Sequence, residues 1–113
     1  MAVYVSNLVV DSGIDFNQIF TLESQNENSA LNLSNYGVFS QMRKHSGSSN
    51  YKNFSTEVVN SSLGQIKIGL ASSETSLLKP GRYVYDIIIQ ENTTGVKSKV
   101  VEGMVLVREG VTR

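Results

Sequence analysis

The chain of 113 residues contains one histidine, no cysteine, three aspartates and seven glutamates, and any acid–base or metal chemistry must be built from these. A Ser-His-Asp arrangement would join His45 to a serine and to Asp11, Asp15 or Asp86. No G-x-S-x-G elbow occurs, and His45 lies in "RKHSGSSN", a polar run that reads as a loop. An exposed loop histidine is the expectation. Without cysteine there are no disulfides, thiol nucleophiles or sulfur ligands, and one histidine cannot complete a zinc site. Asp11 and Asp15 flank Gly13 in "DSGID" and could add oxygens to a calcium ion, but calcium needs six or more. A turn stabilised by an aspartate side chain is the plainer reading. No catalytic residue, metal site or cofactor site is assigned.

The glutamates at 57, 74, 91, 102 and 109 are dispersed, without the pairing that glycoside hydrolysis requires. Asp86 and Glu102 stand out because each interrupts an apolar run. A structural ion pair with Arg82, Lys97 or Arg108 across a strand ladder is expected for them.

Ten basic residues balance ten acidic ones, so the basic excess common in nucleic-acid binders is missing. The local basic patch is Arg43, Lys44 and His45 with Tyr51 and Lys52, read as a solvated loop. Tyr4, Tyr36 and Tyr51 would stack on sugar rings if they were exposed together, and a carbohydrate- or cell-surface-binding module is the alternative function. The N-terminus, MAVYVSNLVV, shows no basic start or cleavage site of a signal peptide, and its apolar stretch is too short for a bilayer. Neither a membrane nor a nucleic acid is expected as a partner. Four N-x-S/T sequons, at Asn32, Asn53, Asn60 and Asn92, are read as accidental.

The elements that must position these side chains are strands. Apolar residues alternate in Val3–Val10, Ile14–Leu22, Tyr36–Met42, Phe54–Val58, Ile66–Leu70 and Tyr83–Ile89, and a long closing strand spans Val96–Val107. Turn signals fall between them at "DSG", "NSSLG" and "ENTTG". Serines followed by Glu74 predict one helical turn before "LLKPG", with serine as its N-cap. The pattern predicts a single all-β domain over residues 1–113, an antiparallel immunoglobulin-like β-sandwich of about seven strands, with a small barrel as the other possibility.

Pro80 has no N–H for a central strand, so with Gly81 it must end the turn and launch the next strand. Tyr83 and Tyr85 then enter the core with their hydroxyls at its rim. Tyr83 is expected to bond back to upstream backbone, as tyrosines do at this corner of immunoglobulin-type sandwiches. Gly103 marks a bulge or a close contact. Val84, Ile88 and Val105 are expected to share an apolar sheet face that marks a subunit interface, giving a homo-oligomer joined through the C-terminal half.

"NYGVFSQMRKHSGSS", "GQIKIGLASSETSLLKPGRYVYDIIIQ" and "VVEGMVLVREGVTR" together resemble small virion structural proteins of contractile-tailed phages, particularly cyanobacterial ones. More loosely, they are similar to the immunoglobulin-like N-terminal domain of phage baseplate upper proteins. The frame is a strand ending in Met42, Arg43 and Lys44, then Gly64–Leu70, Leu77 to Gly81, Tyr83–Ile87 and Val101–Val107. The resemblance implies a non-enzymatic tail, baseplate or fibre-associated protein that contacts other virion proteins. Its place would be the virion, after synthesis in the host cytoplasm. It carries over no catalytic residues, and the chain ends soon after the domain, without a fibre extension.

Overall fold

The computed structural model describes residues 3–23 and 31–112. Nine strands and one helical turn follow in order: β1 (Tyr4–Val5), β2 (Leu8–Asp11), β3 (Phe16–Thr21), β4 (Tyr36–Arg43), β5 (Lys52–Asn53), β6 (Ser55–Asn60), β7 (Gln65–Leu70), α1 (Ser72–Thr75), β8 (Gly81–Glu91) and β9 (Lys97–Arg108). They form two sheets. The larger runs β1-β9-β8-β4-β5, with β2 also paired to β9, and the smaller runs β3-β7-β6. This is an immunoglobulin-like β-sandwich. The expected antiparallel pairing holds except at one edge, where β1 and β2 lie parallel to β9.

The alternation read from sequence is the alternation that folds. Val38 and Met42 of β4 point inward, with Tyr85, Ile87 and Ile89 of β8 and Ile66, Ile68 and Leu70 of β7. Burying each such side chain contributes about 1.5–3 kcal/mol, which offsets the ordering of the backbone. Leu33 is buried and Leu31 packs on the same core, closing one end of the sandwich.

Near the other end, α1 begins after Ala71, which is the N-cap in place of the expected serine. Glu74 accepts the Ala71 N–H, and Asp15 accepts the Ser72 N–H at 2.6 Å. A carboxylate from the β2–β3 turn thus supplies the cap that a serine would have given. Leu78 packs against the core, whereas Leu77 is 82% exposed. Beyond Pro80, the Tyr83 hydroxyl donates to the Lys79 carbonyl at 2.7 Å, the tyrosine-corner bond expected from sequence.

Two irregularities in β9 shape the outer surface. Ile87 faces Val101 but Ile88 faces Lys99, so Val100 is an extra residue and the bulge lies there. Gly103 serves the other expected purpose, close approach. A Cβ on it would lie 2.2 Å from the Ser6 carbonyl oxygen, where the chain crosses between β1 and β2. Across this crossing the Tyr85 hydroxyl donates to the Ser6 carbonyl, and Asn7 Oδ1 accepts the Met104 N–H.

The sides of the sandwich differ. On one, β5 continues directly into β6: Lys52–Asn53 pairs with β4 and Ser55–Asn60 with β7. Between them the Phe54 N–H donates to Ser40 O and the Thr56 hydroxyl to Val38 O, so one bent strand serves both sheets. On the other side, β2 crosses to β3 through the Asp11–Asp15 turn.

Candidate interaction surface

The outward residues of the larger sheet form four rows across its strands. Val9, Leu106 and Arg82 make the first, and Met104, Val84 and Arg43 the second. Glu102, Asp86 and Gln41 make the third, and Lys99, Ile88 and Phe39 the fourth. Val9, Leu106, Met104 and Val84 are all exposed and adjacent, and Phe39 is exposed beyond the charged row. The rows therefore alternate apolar, charged and apolar ground over one sheet face.

Val84 and Ile88 stand on this face as expected, but Val105 does not. It faces Tyr83 across the ladder and is fully buried between the sheets. Register sets its face: residues opposite one another share a side, and Tyr83 points inward. Met104 and Leu106 are the outward residues of this part of β9.

Asp86 and Glu102 face each other directly. Lys99 joins them, its ammonium 3.4 Å from Asp86 and 3.8 Å from Glu102. The expected cation was Arg82, Lys97 or Arg108, and the bulge explains the difference. In an unbroken strand, residues 99 and 102 would point to opposite faces; the extra Val100 brings both outward. Arg108 instead makes a two-pronged contact with Asp11, at 2.9 and 3.2 Å, which raises the arginine's pKa through that hydrogen bond. With Asp11 so engaged and Asp15 capping α1, the two carboxylates act separately. No group of three or more His, Cys, Asp or Glu that could hold a metal occurs among the described residues.

The basic loop residues meet aromatic rings. The Arg43 guanidinium lies 4.8 Å from the Tyr51 ring centre and the Lys44 ammonium 4.9 Å from that of Tyr83, both in the range of cation–π attraction. Lys52 pairs with Glu74, and this hydrogen bond, with a smaller share from the Ala71 N–H, lowers the Glu74 pKa. These side chains and Leu77 line a groove of about 340 Å³ at the α1 end of the sandwich. His45 is exposed at the rim of the outer sheet face. Among the described residues no serine or carboxylate hydrogen-bonds its ring.

The three tyrosines do not assemble into a platform. Tyr4 is on edge strand β1, while Tyr36 starts β4 and packs against the core. Tyr51 lies beside Arg43, which ends β4 seven residues after Tyr36, roughly 23 Å along the strand. Tyr85 is buried, and its pKa is raised by desolvation against the smaller opposing effect of its bond to Ser6.

No family model and no curated protein matches the chain. Among solved structures, it is similar to InlP of Listeria monocytogenes, with 16% identity, a TM-score of 0.48 and coverage of 91% of this chain and 26% of that one. It is also similar to a family 123 glycoside hydrolase from Clostridium perfringens, studied for glycolipid glycan hydrolysis, with 12% identity and a TM-score of 0.46. That match covers 100% of this chain and 24% of the hydrolase. The chain thus spans about a quarter of each, and likenesses this distant carry no argument about activity.

Proposed function

We propose that this domain is a non-enzymatic structural module acting through protein–protein contact. In this reading, which rests on its sequence resemblance, it is a virion component associated with a phage tail, baseplate or fibre. The observation that supports contact as its mode of action is the outward face of β9 and β8. Val9, Leu106, Met104 and Val84 expose a contiguous apolar patch, bordered by Arg82, Arg43 and the Asp86–Glu102–Lys99 cluster. An apolar centre with a charged rim is the anatomy of a specific protein interface.

Mass spectrometry of purified particles tests the virion role: the protein is expected in stoichiometric amount, and its confinement to the lysate of infected cells would sink the reading. Met104→Arg tests the face, since it places a charge in the patch without touching the core. It is expected to leave the fold intact and exclude the protein from particles; unchanged incorporation would remove this face from the proposal.

A further inference from the structure

The smaller sheet has two edges, and they are treated differently. β6 has the devices that keep an edge from pairing with foreign strands. Glu57 sits within it, paired to Lys67, the register shifts between Val58 and Asn60, and its first half leans on β4 through Thr56. β3 has none of these. Its six residues, Phe-Asn-Gln-Ile-Phe-Thr, carry no charge, proline or glycine, and they pair with β7 in an unbroken register.

The direction of its free backbone groups follows from the ladder. The Leu22 N–H donates to Gly64 O, continuing the register Phe16↔Leu70 to Thr21↔Gln65. Backbone groups alternate sides along a strand, so the even-numbered residues bond to β7. Asn17, Ile19 and Thr21 aim their N–H and C=O groups away from the sheet. Among the described residues, the one hydrogen bond to these groups is from Gln18 Nε2 to Ile19 O, at 3.3 Å on the exposed surface. The Ile19 side chain is itself 51% exposed.

We infer that β3 is the contact strand of a homodimer, pairing antiparallel with β3 of a second copy about a two-fold axis through Ile19. The three outward residues are spaced symmetrically about Ile19. In that register Ile19 meets Ile19 of the other copy, Asn17 meets Thr21, and every outward N–H and C=O finds its complement. An uncharged strand is what self-pairing requires, because across a two-fold axis a charge near the centre meets its own like. Zero formal net charge leaves little long-range repulsion between copies. The result is one continuous sheet, β6-β7-β3 running into its symmetry mate. This contact uses the opposite sheet from the apolar face described above, so either can fail without the other.

The test is amide hydrogen exchange with light scattering on a sizing column, at high and low concentration of the full chain. Dimers that dissociate on dilution are expected, with the amides of Asn17, Ile19 and Thr21 protected only at high concentration. Ile19→Lys sets two like charges together, and Ile19→Pro removes an outward N–H that no described residue of the monomer accepts. Each is expected to weaken dimerisation about tenfold or more, equivalent to roughly 1.4 kcal/mol, while Met104→Glu leaves it unchanged. A monomer at high concentration would overturn the inference. So would a dimer indifferent to both Ile19 variants, or protection of the three amides that does not vary with concentration. A strand from another protein pairing with β3 while the chain alone stays monomeric would also overturn it. Should an Ile19 variant fail to fold by circular dichroism, the concentration dependence of exchange in the unaltered chain decides.

Discussion

Across β8 and β9, inward Tyr85, Ile87, Val101 and Val105 are at most 4% exposed, while outward Val84, Met104 and Leu106 keep between 36% and 46% of their surface. The two sets interleave residue by residue and are nearly equal in apolar character. Composition therefore does not separate them; the ladder does. The inward set belongs to one buried core with Ile66, Ile68 and Phe54, where a lost methylene leaves a void. The outward set is available for contact and contributes little to the isolated fold.

The largest expected effect breaks this comparison directly. Ile87→Ala should destabilise the domain by about 3 kcal/mol, and Val84→Ala by less than about 0.5 kcal/mol, measured as shifts in the denaturant midpoint. Equal losses would mean that the outer face is covered within the chain. Gly103→Ala comes next, at roughly 2–3 kcal/mol, because its Cβ would collide with the Ser6 carbonyl and force the N-terminal strands off β9. Tyr85→Phe and Tyr83→Phe should each cost about 1 kcal/mol, the net worth of one hydrogen bond. In Tyr85→Phe, new exchange at the amides of β1 and β2 would locate the loss at the Ser6 crossing.

On the outer face, Lys99→Met leaves Asp86 and Glu102 opposed without their cation, a loss of roughly 0.5 kcal/mol that added salt should shrink. Smallest is the acid limb set by Glu74. Its pKa is lowered in the fold, so its pairing with Lys52 and Ala71 stabilises above the ordinary glutamate range and is lost as pH falls through the lowered value. The difference between the native chain and Glu74→Gln, read from denaturant midpoints at neutral and acid pH, should therefore vanish in acid. A difference that persists there would assign the Glu74 contribution to something other than its charge.

Much of the fold was legible because the signals were local. The alternation in Tyr36–Met42, Ile66–Leu70 and Tyr83–Ile89 placed the right residues inward. "DSG", "NSSLG" and "ENTTG" form the turns that their residue types predict, and Pro80 with Gly81 put Tyr83 in position for its bond to Lys79. The surface was less legible. Val105 is expected outward from the sequence and lies inward, and strict alternation places Lys99 on the far side from Asp86 and Glu102, with which it pairs. The one sequence signal for that pair was the doublet Val100–Val101, two consecutive apolar residues that both become buried at a bulge.

By itself, the sequence determined that this chain folds as strands, which residues of most strands face inward, where the chain turns, and that its surface carries no excess charge. Only the tertiary structure decided which strands are neighbours, in what register, and which edge is left open. That division has a physical reason. Alternation with period two is a property of each strand alone, whereas pairing depends on residues far apart in the chain. One extra residue, Val100, is enough to exchange the faces of all that follow, and no local pattern shows that β6 is protected at its edge while, among the described residues, β3 is not.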